Sequence, residues 1–400
     1  MSSLPAAAVE QVEQDSVRRL VWQATLLRVA LAIAIHFTVA EEFFAPDQGG
    51  YHNISARLAA WWSGKSATYP MALANEGRPA GYYYLVASLY TLVGTWRLLP
   101  KILNGIVGGI TVRLTYSLAR KVIGAHQPAL FAARVCAFLP SMVLWSALNI
   151  RDVWVILIIL VACNATLDLQ QRFSPTRCAL LAAALMALLE FRAYLLFAVA
   201  GPIVVGFLAQ RSANMLRNAT LGLLASVVLV FGDMTGGDRR AMRSADLEIM
   251  QEFRESTAHR GESNFAPDAD ISTVAGAAVF LPLGLAFFLF APFPWMISGL
   301  RQLITLPEML FLYSLVPAMA VGAVTLIRKR RSESLVILLI AGALTFGYAL
   351  GQSNAGTAYR HRAQVLPFLM VLAGAGRATR RESELLGPSV GHASLGHRAV

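Results

Sequence analysis

Apolar residues along this chain gather into long, nearly unbroken runs instead of alternating with polar ones, and runs of about 17–25 residues match the length a helix needs to cross a bilayer. Such runs occupy 20–40, 101–119, 128–148, 153–169, 178–193, 194–210, 216–232, 303–327, 333–351 and 364–376, several of them short. Two further apolar stretches, 81–96 and 273–298, decide the topology, because counting either one as a crossing inverts everything after it. The polar segments settle the choice. "RKVIGAHQ" (120–127), "QQRFSPTR" (170–177), "QRSANMLRN" (210–218) and "RKRR" (328–331) carry Lys and Arg without a carboxylate. Together with Arg18, Arg19 and "RATRR" (377–381), they belong on the cytoplasmic side, which such residues prefer. They share that side only if 81–96 and 273–298 do not cross, so these two are expected to lie in, or dip into, the outer leaflet. Pro292 and Pro294 in "LFAPFPW" support this, since either would break a crossing helix. The expected fold is an all-α polytopic membrane protein of about ten transmembrane helices, with outer-face juxtamembrane helices and both termini inside. Residues 1–376 read as a single integral membrane domain, and 377–400 as a basic cytoplasmic tail, disordered over 382–400.

Composition sharpens this picture. The chain is 56% hydrophobic and only 14% charged, too little polar surface for a soluble globular domain. Its net charge of +11 comes with no basic stripe interleaved with aromatics, so nucleic acid is not an expected partner. Cys136, Cys163 and Cys178 fall in or beside apolar segments without metal-ligand or redox spacing, and read as small packing residues. "TVA" before Glu41 is a passable cleavage site, but the preceding apolar stretch is longer than a usual signal h-region and reads as a span. No internal repeat, Walker loop, dinucleotide fingerprint, zinc spacing or nucleophile elbow occurs, and neither metal nor cofactor is expected.

The loops on the outward side hold the candidate chemistry. In "EEFFAPDQGGYHN" (41–53), Asp47 stands on a turn beside Pro46, while Glu41 and Glu42 mark the end of the first span. "YHNISARLAAWW" (51–62) follows as an amphipathic stretch of the kind that lies at a membrane interface. "WSALNIRDVWVI" places Arg151 and Asp152 at the outward start of a span, where the helix dipole alone favours a carboxylate and where a second carboxylate could also face a site. Glu190 and Arg192 in "LLEFRAYLLF" mark a turn between two short spans, since charge at mid-membrane is costly. "SNAGTAYRHRAQVLPF" clusters Arg360, His361 and Arg362 against the usual sidedness of positive charge, which a lipid phosphate would compensate. The long loop 233–272 holds nine carboxylates and five arginines. Within it, 243–260 predicts a surface helix of little functional weight, with Ser244 as cap and Asp246 and Glu248 in the first turn. Arg28, Arg113 and Arg134 are expected to snorkel to the cytoplasmic face.

The succession "PDQGGYHNISARLAAWW", "GRPAGYYYLVASLYTLVG", "LPKILNGIVGGITVRLTYSLARKVIG" and "ARVCAFLPSMVLWSALNIRDVWVILIILV" resembles the amino-terminal module of the GT-C membrane glycosyltransferases. It is most similar to the protein O-mannosyltransferase and bacterial aminoarabinose-transferase branch. The resemblance covers about residues 18–210 and lies in order and texture. It implies a catalytic Asp in the first outer loop, which falls on Asp47, and a second acidic residue, which falls on Asp152. Those enzymes often show an acidic pair in the first loop, whereas Gln48 follows Asp47 here. Residues 211–376 do not match that branch closely and are reminiscent of membrane proteins of exopolysaccharide and O-antigen pathways.

The resemblance implies transfer of a sugar from a polyprenyl-phosphate-linked donor to a lipid, glycan or protein acceptor, by inverting displacement at the outer face of a membrane such as the bacterial inner membrane. Asp47 and Asp152 would be the catalytic carboxylates, and Arg151, Arg192, Arg360, His361 and Arg362 would hold the phosphate. The alternatives are a polymerase or ligase of lipid-linked polysaccharide using diphosphate donors, and a lipid-linked glycan transporter. The absence of the two-fold repeats common in transporters favours the enzyme.

Overall fold

The computed structural model describes residues 5–38, 43–44, 47–74, 80–209, 221, 247–258, 264–266, 268–297, 299–329 and 332–386. The helices follow one another as α1 (Ala6–His36), α2 (Gln48–Trp62), α3 (Met71–Ala74), α4 (Gly81–Val93), α5 (Leu98–Ile123), α6 (His126–Phe138), α7 (Pro140–Ser146) and α8 (Asp152–Gln171). They continue as α9 (Pro175–Arg192), α10 (Leu195–Leu208), α11 (Leu247–Ala258), α12 (Val274–Phe290), α13 (Leu300–Lys329), α14 (Ser332–Gly351), α15 (Ala355–Arg362) and α16 (Leu366–Leu386). Among the described residues an isolated bridge between Asn264 and Asn354 is the only strand-like pairing.

The chain is an integral membrane protein. Five described helices, α1, α5, α8, α13 and α14, are long and apolar enough to cross a bilayer, and the pair α6–α7 makes a sixth if a 57° bend is allowed. The expected unbroken span over 128–148 is therefore a broken one. Pro140 is the cause: it cannot donate to the turn before it, it holds Leu139 extended (φ −62°, ψ 125°), and it serves as the first residue of a new helix. Helices α9, α10 and α16 stand where spans were expected but fall short in length or in apolarity. The expected span 216–232 lies outside the described residues apart from Leu221, as do Glu41, Glu42, Ser244 and Asp246. Helix α16 runs on to Leu386, beyond the expected start of the tail, with Arg377 set over the Phe131 ring.

Among the described residues, the basic segments 120–127 and 170–177 gather at one end of the bundle. Lys121 and Arg177 both pair with Asp168, Arg120 pairs with Glu13, and Thr325 meets Thr379. Gln170 reaches the Gly206 carbonyl beside Val336, which brings the start of α14 to the same end. Helices α4 and α12 stay away from that end. Helix α4 is short, and α12 contacts the last turns of α14 and Arg362 through Gly284 and Phe288. Helix α12 stops before Pro292, with Ala291 extended (ψ 151°), because the residue before a proline disfavours helix.

Close helix approach holds the bundle together, as expected where the solvent is as apolar as the core. A Cβ on Gly322 would collide with the Leu372 carbonyl, and one on Gly376 with the Ala318 carbonyl, so α13 and α16 touch backbone to backbone. Arg28 departs from expectation. It is fully buried and, rather than snorkelling, donates to the carbonyls of Ala24 (3.0 Å), Ala137 (2.8 Å) and Cys136 (2.9 Å), covering the exposed end of α6 at the Pro140 break. Cys136 and Cys163 are buried and unpaired, as packing residues should be.

The glycine contacts predict that Gly322→Val or Gly376→Val will each cost about 1–3 kcal/mol, the usual range for overpacking. Gly347→Val, where a Cβ meets nothing within 4 Å, should leave thermal unfolding in detergent unchanged.

Candidate active site

At the end of the bundle opposite Lys121, Asp168 and Arg177, three segments converge on one carboxylate. Asp152 opens α8, and its side chain is completely buried. Its Oδ1 accepts from Arg192 Nη2 (2.8 Å) and Gln364 Nε2 (3.0 Å), and its Oδ2 from Arg360 Nε (2.8 Å) and Nη2 (2.7 Å). The remaining Arg360 nitrogen, Nη1, donates to Asp47 Oδ2 at 2.6 Å. Arg360 is thus a two-sided clamp between a buried carboxylate and one that is 53% exposed.

Asp47 occupies the N-cap position of α2 but does not cap it. Its backbone is helical (φ −65°, ψ −20°), and its side chain bonds no amide of the first turn. The usual structural reason for an Asp at a helix start is therefore missing. Helix α2 buries Gln48, Tyr51, Ser55, Leu58 and Ala59, a helically spaced face, and exposes Trp61 and Trp62 as the amphipathic pattern requires.

The loop ahead of Asp152 is fixed by a polar lock. Asn149 N–H donates to Gln48 Oε1 (2.8 Å), and Tyr82 donates to Asn149 Oδ1 (2.8 Å). Asn104 donates to Tyr82, Leu148 O and Ile150 O, and accepts from Trp154 Nε1 (2.7 Å). Gln48, which stands where the resembling enzymes often carry a second acid, holds this loop in place. Asn149, Tyr82 and Asn104 look like ordinary polar residues in the sequence, so nothing local marks them.

The arginines have different fates. Arg192 ends α9, as the turn expected there requires; it is buried, pairs with Asp152 and donates to Tyr194 (2.8 Å) and Tyr348 (3.3 Å). Glu190 is exposed on the same turn and has no part in the cluster. Arg151, beside Asp152, makes no ion pair or hydrogen bond among the described residues, and its Nε is buried. The cluster therefore sets three guanidiniums against two carboxylates. Arg360 keeps its proton firmly: burial opposes its charge, and Asp152 and Asp47 more than offset that.

His361 and Arg362 do not join them. His361 is buried, stacks on the Tyr348 ring at 5.0 Å and accepts from Gln352 Nε2 through Nδ1 (3.0 Å). Burial and the Arg192 charge hold its pKa well below the ordinary value against the pull of Asp152, with Arg360 and Arg151 adding to the depression. Arg362 faces away and donates to the carbonyls of Phe288 (2.7 Å) and Ala291, closing the end of α12. Two residues apart on a helix, Arg360 and Arg362 cannot share a face.

The surface helix α11 carries more weight than expected, because Arg254 is buried and donates to Gln352 O (2.7 Å) and Ala266 O (2.9 Å), bracing the α14–α15 joint. Glu308 of α13 accepts from Ser141 N (2.7 Å) and Tyr359 (2.8 Å), fastening the helix that bears Arg360. No group of three or more metal-ligating side chains that could hold an ion occurs among the described residues.

No family model matches the chain, and no curated protein sequence does either. Two solved structures are similar. One is ArnT from Cupriavidus metallidurans bound to undecaprenyl phosphate, with TM-score 0.52 and 19% identity, covering 88% of this chain and 59% of that one. The other is the archaeal oligosaccharyltransferase AglB from Archaeoglobus fulgidus in complex with an inhibitory peptide and a dolichol-phosphate, with TM-score 0.54 and 14% identity, covering 89% and 50%. The chain thus shares the fold of these two structures and spans 59% and 50% of their lengths.

Removing one partner of a buried ion pair strands the other, at about 3–5 kcal/mol. Arg192→Leu is accordingly expected to lose that much stability in equilibrium unfolding. Arg151→Leu, which breaks no pair, should lose none of it.

Proposed function

We propose that the protein transfers a sugar from a polyprenyl-phosphate carrier to an acceptor hydroxyl at the membrane surface opposite its basic loops, with Asp47 as the base. The observation that carries this reading is the position of Asp47. It is a half-exposed carboxylate that caps nothing and stands in front of a buried cluster with one excess positive charge. The two similar structures hold undecaprenyl phosphate and dolichol-phosphate, which supports a lipid phosphate as the donor's leaving group.

The chemistry follows from the placement. The acceptor oxygen attacks the anomeric carbon and loses its proton to Asp47. The bond from that carbon to the phosphate oxygen breaks, and the electron pair leaves on the polyprenyl phosphate. A phosphate leaving group needs charge stabilisation more than protonation, and Arg151 and Arg360 supply it. A single displacement inverts the anomeric centre. Asp152 cannot compete for the role of base: both its oxygens are saturated by donors, and it is sealed from the surface. It orients Arg360, and Arg360 and Arg192 together hold it charged.

The test is purified protein with a panel of polyprenyl-phosphate sugars, read as release of lipid phosphate. Asp47→Asn should lower turnover by about 10²–10⁴, the range for loss of a general base. Arg360→Ala should lose more than tenfold, or about 1.4 kcal/mol of transition-state stabilisation. Full activity of Asp47→Asn with a working substrate would refute the mechanism.

A further inference from the structure

The pairing at Asp47 presents a difficulty for a base. A carboxylate oxygen 2.6 Å from a guanidinium nitrogen is already engaged as an acceptor, and the side chain is held against Arg360. Arg360, meanwhile, is held in two unequal ways. Its Nε and Nη2 grip the buried Asp152, while Nη1 alone reaches the half-exposed Asp47. The inner grip fixes the guanidinium in place. The outer contact is the weak one, because an ion pair with a half-exposed partner is screened by solvent. Arg151 stands beside this cluster with no partner among the described residues. A phosphate arriving here would meet a free guanidinium and one that can change partner without moving.

We propose that Asp47 and the donor's lipid phosphate compete for Nη1 of Arg360, so that donor binding releases Asp47 to act as the base. This deepens the function proposed above and rests on it. No covalent bond is made or broken in the exchange: Nη1 passes its hydrogen bond from the Asp47 carboxylate to a phosphate oxygen, and Asp47 is left unpaired. The consequence is an order of events. Without donor Asp47 is tied to Arg360 through Oδ2, and with donor both of its oxygens are open to an acceptor hydroxyl. Phosphate succeeds because it can accept from Nη1 of Arg360 and from Arg151 together, whereas Asp47 engages Nη1 alone.

The exchange makes a prediction of unusual sign: a variant that abolishes turnover should bind the carrier more tightly. Undecaprenyl phosphate binding is measured on the whole protein in nanodiscs of zwitterionic lipid. Asp47→Asn and Asp47→Ala should each tighten it by about two- to fivefold, the span of a half-exposed ion pair. Glu190→Gln, which removes an exposed carboxylate outside the cluster, should leave it unchanged. Phosphatidylglycerol in place of undecaprenyl phosphate should show no gain with the Asp47 variants. Unchanged or weaker binding by both Asp47 variants overturns the exchange while leaving the donor assignment standing. An equal gain with Glu190→Gln, or with phosphatidylglycerol, assigns the effect to general charge and also overturns it. If the wild-type protein fails to bind undecaprenyl phosphate at all, the lipid-phosphate reading falls and the exchange falls with it.

Discussion

Everything at this end of the molecule is arranged around a carboxylate that water does not reach. Taking Asp152 out of water costs several kcal/mol, and the cost is offset only because Arg192, Arg360 and Gln364 together occupy both of its oxygens. These partners come from α9, from α15 and from the turn after α15, while Asp152 itself begins α8. Satisfying one buried charge therefore requires three distant parts of the chain to meet at hydrogen-bond distance. The rest of the site follows from that meeting. Arg360, once fixed on Asp152, has one nitrogen to spare, and that nitrogen reaches across to α2 and holds Asp47. Tyr348 and Tyr194 close the shell around Arg192, and Glu308 pins the helix that carries Arg360.

Much of this was legible in the sequence, for reasons that differ by residue. Asp47, Asp152, Arg192 and Arg360 stand out because charge is expensive near a bilayer and each falls at the end of an apolar run. Arg362 and His361 stand out for the same reason, yet belong elsewhere. Their separation was readable in principle: residues one and two positions from Arg360 point away from its face of a helix, but only if the helix is recognised in so short and polar a segment. The Gln48–Asn149–Tyr82–Asn104 lock was not readable, since it joins positions far apart in sequence through amides that carry no charge. Arg28 misled for a further reason. An arginine within a span suggests snorkelling, but Pro140 leaves α6 with open carbonyls, and Arg28 is long enough to cover them.

The membrane topology shows the same division. Of the loops rich in Lys and Arg, the described 120–127 and 170–177 do meet at one end, joined there by ion pairs to Glu13 and Asp168. Runs of apolar residues are less informative about helix length. The 128–148 run breaks at a proline, and the run before Arg192 gains a charged residue at each end, so composition alone overstates how many helices could span unaided.

The contrast between the two carboxylates is the strongest argument for how labour is divided in this site. Asp152 has everything a structural charge requires: full burial, partners on both oxygens, and the favourable start of a helix. Asp47 has none of these. It begins a helix without capping it, keeps half its surface exposed, and touches the protein through a single oxygen. Stability alone gives little reason for an acid in that place, since a half-exposed pair contributes at most about 1 kcal/mol. A group that the fold does not need, held by a cation the fold does need, can be set free without disturbing the scaffold. The transfer proposed above asks that of its base, which would meet its substrate at the surface while the cluster behind it stays closed.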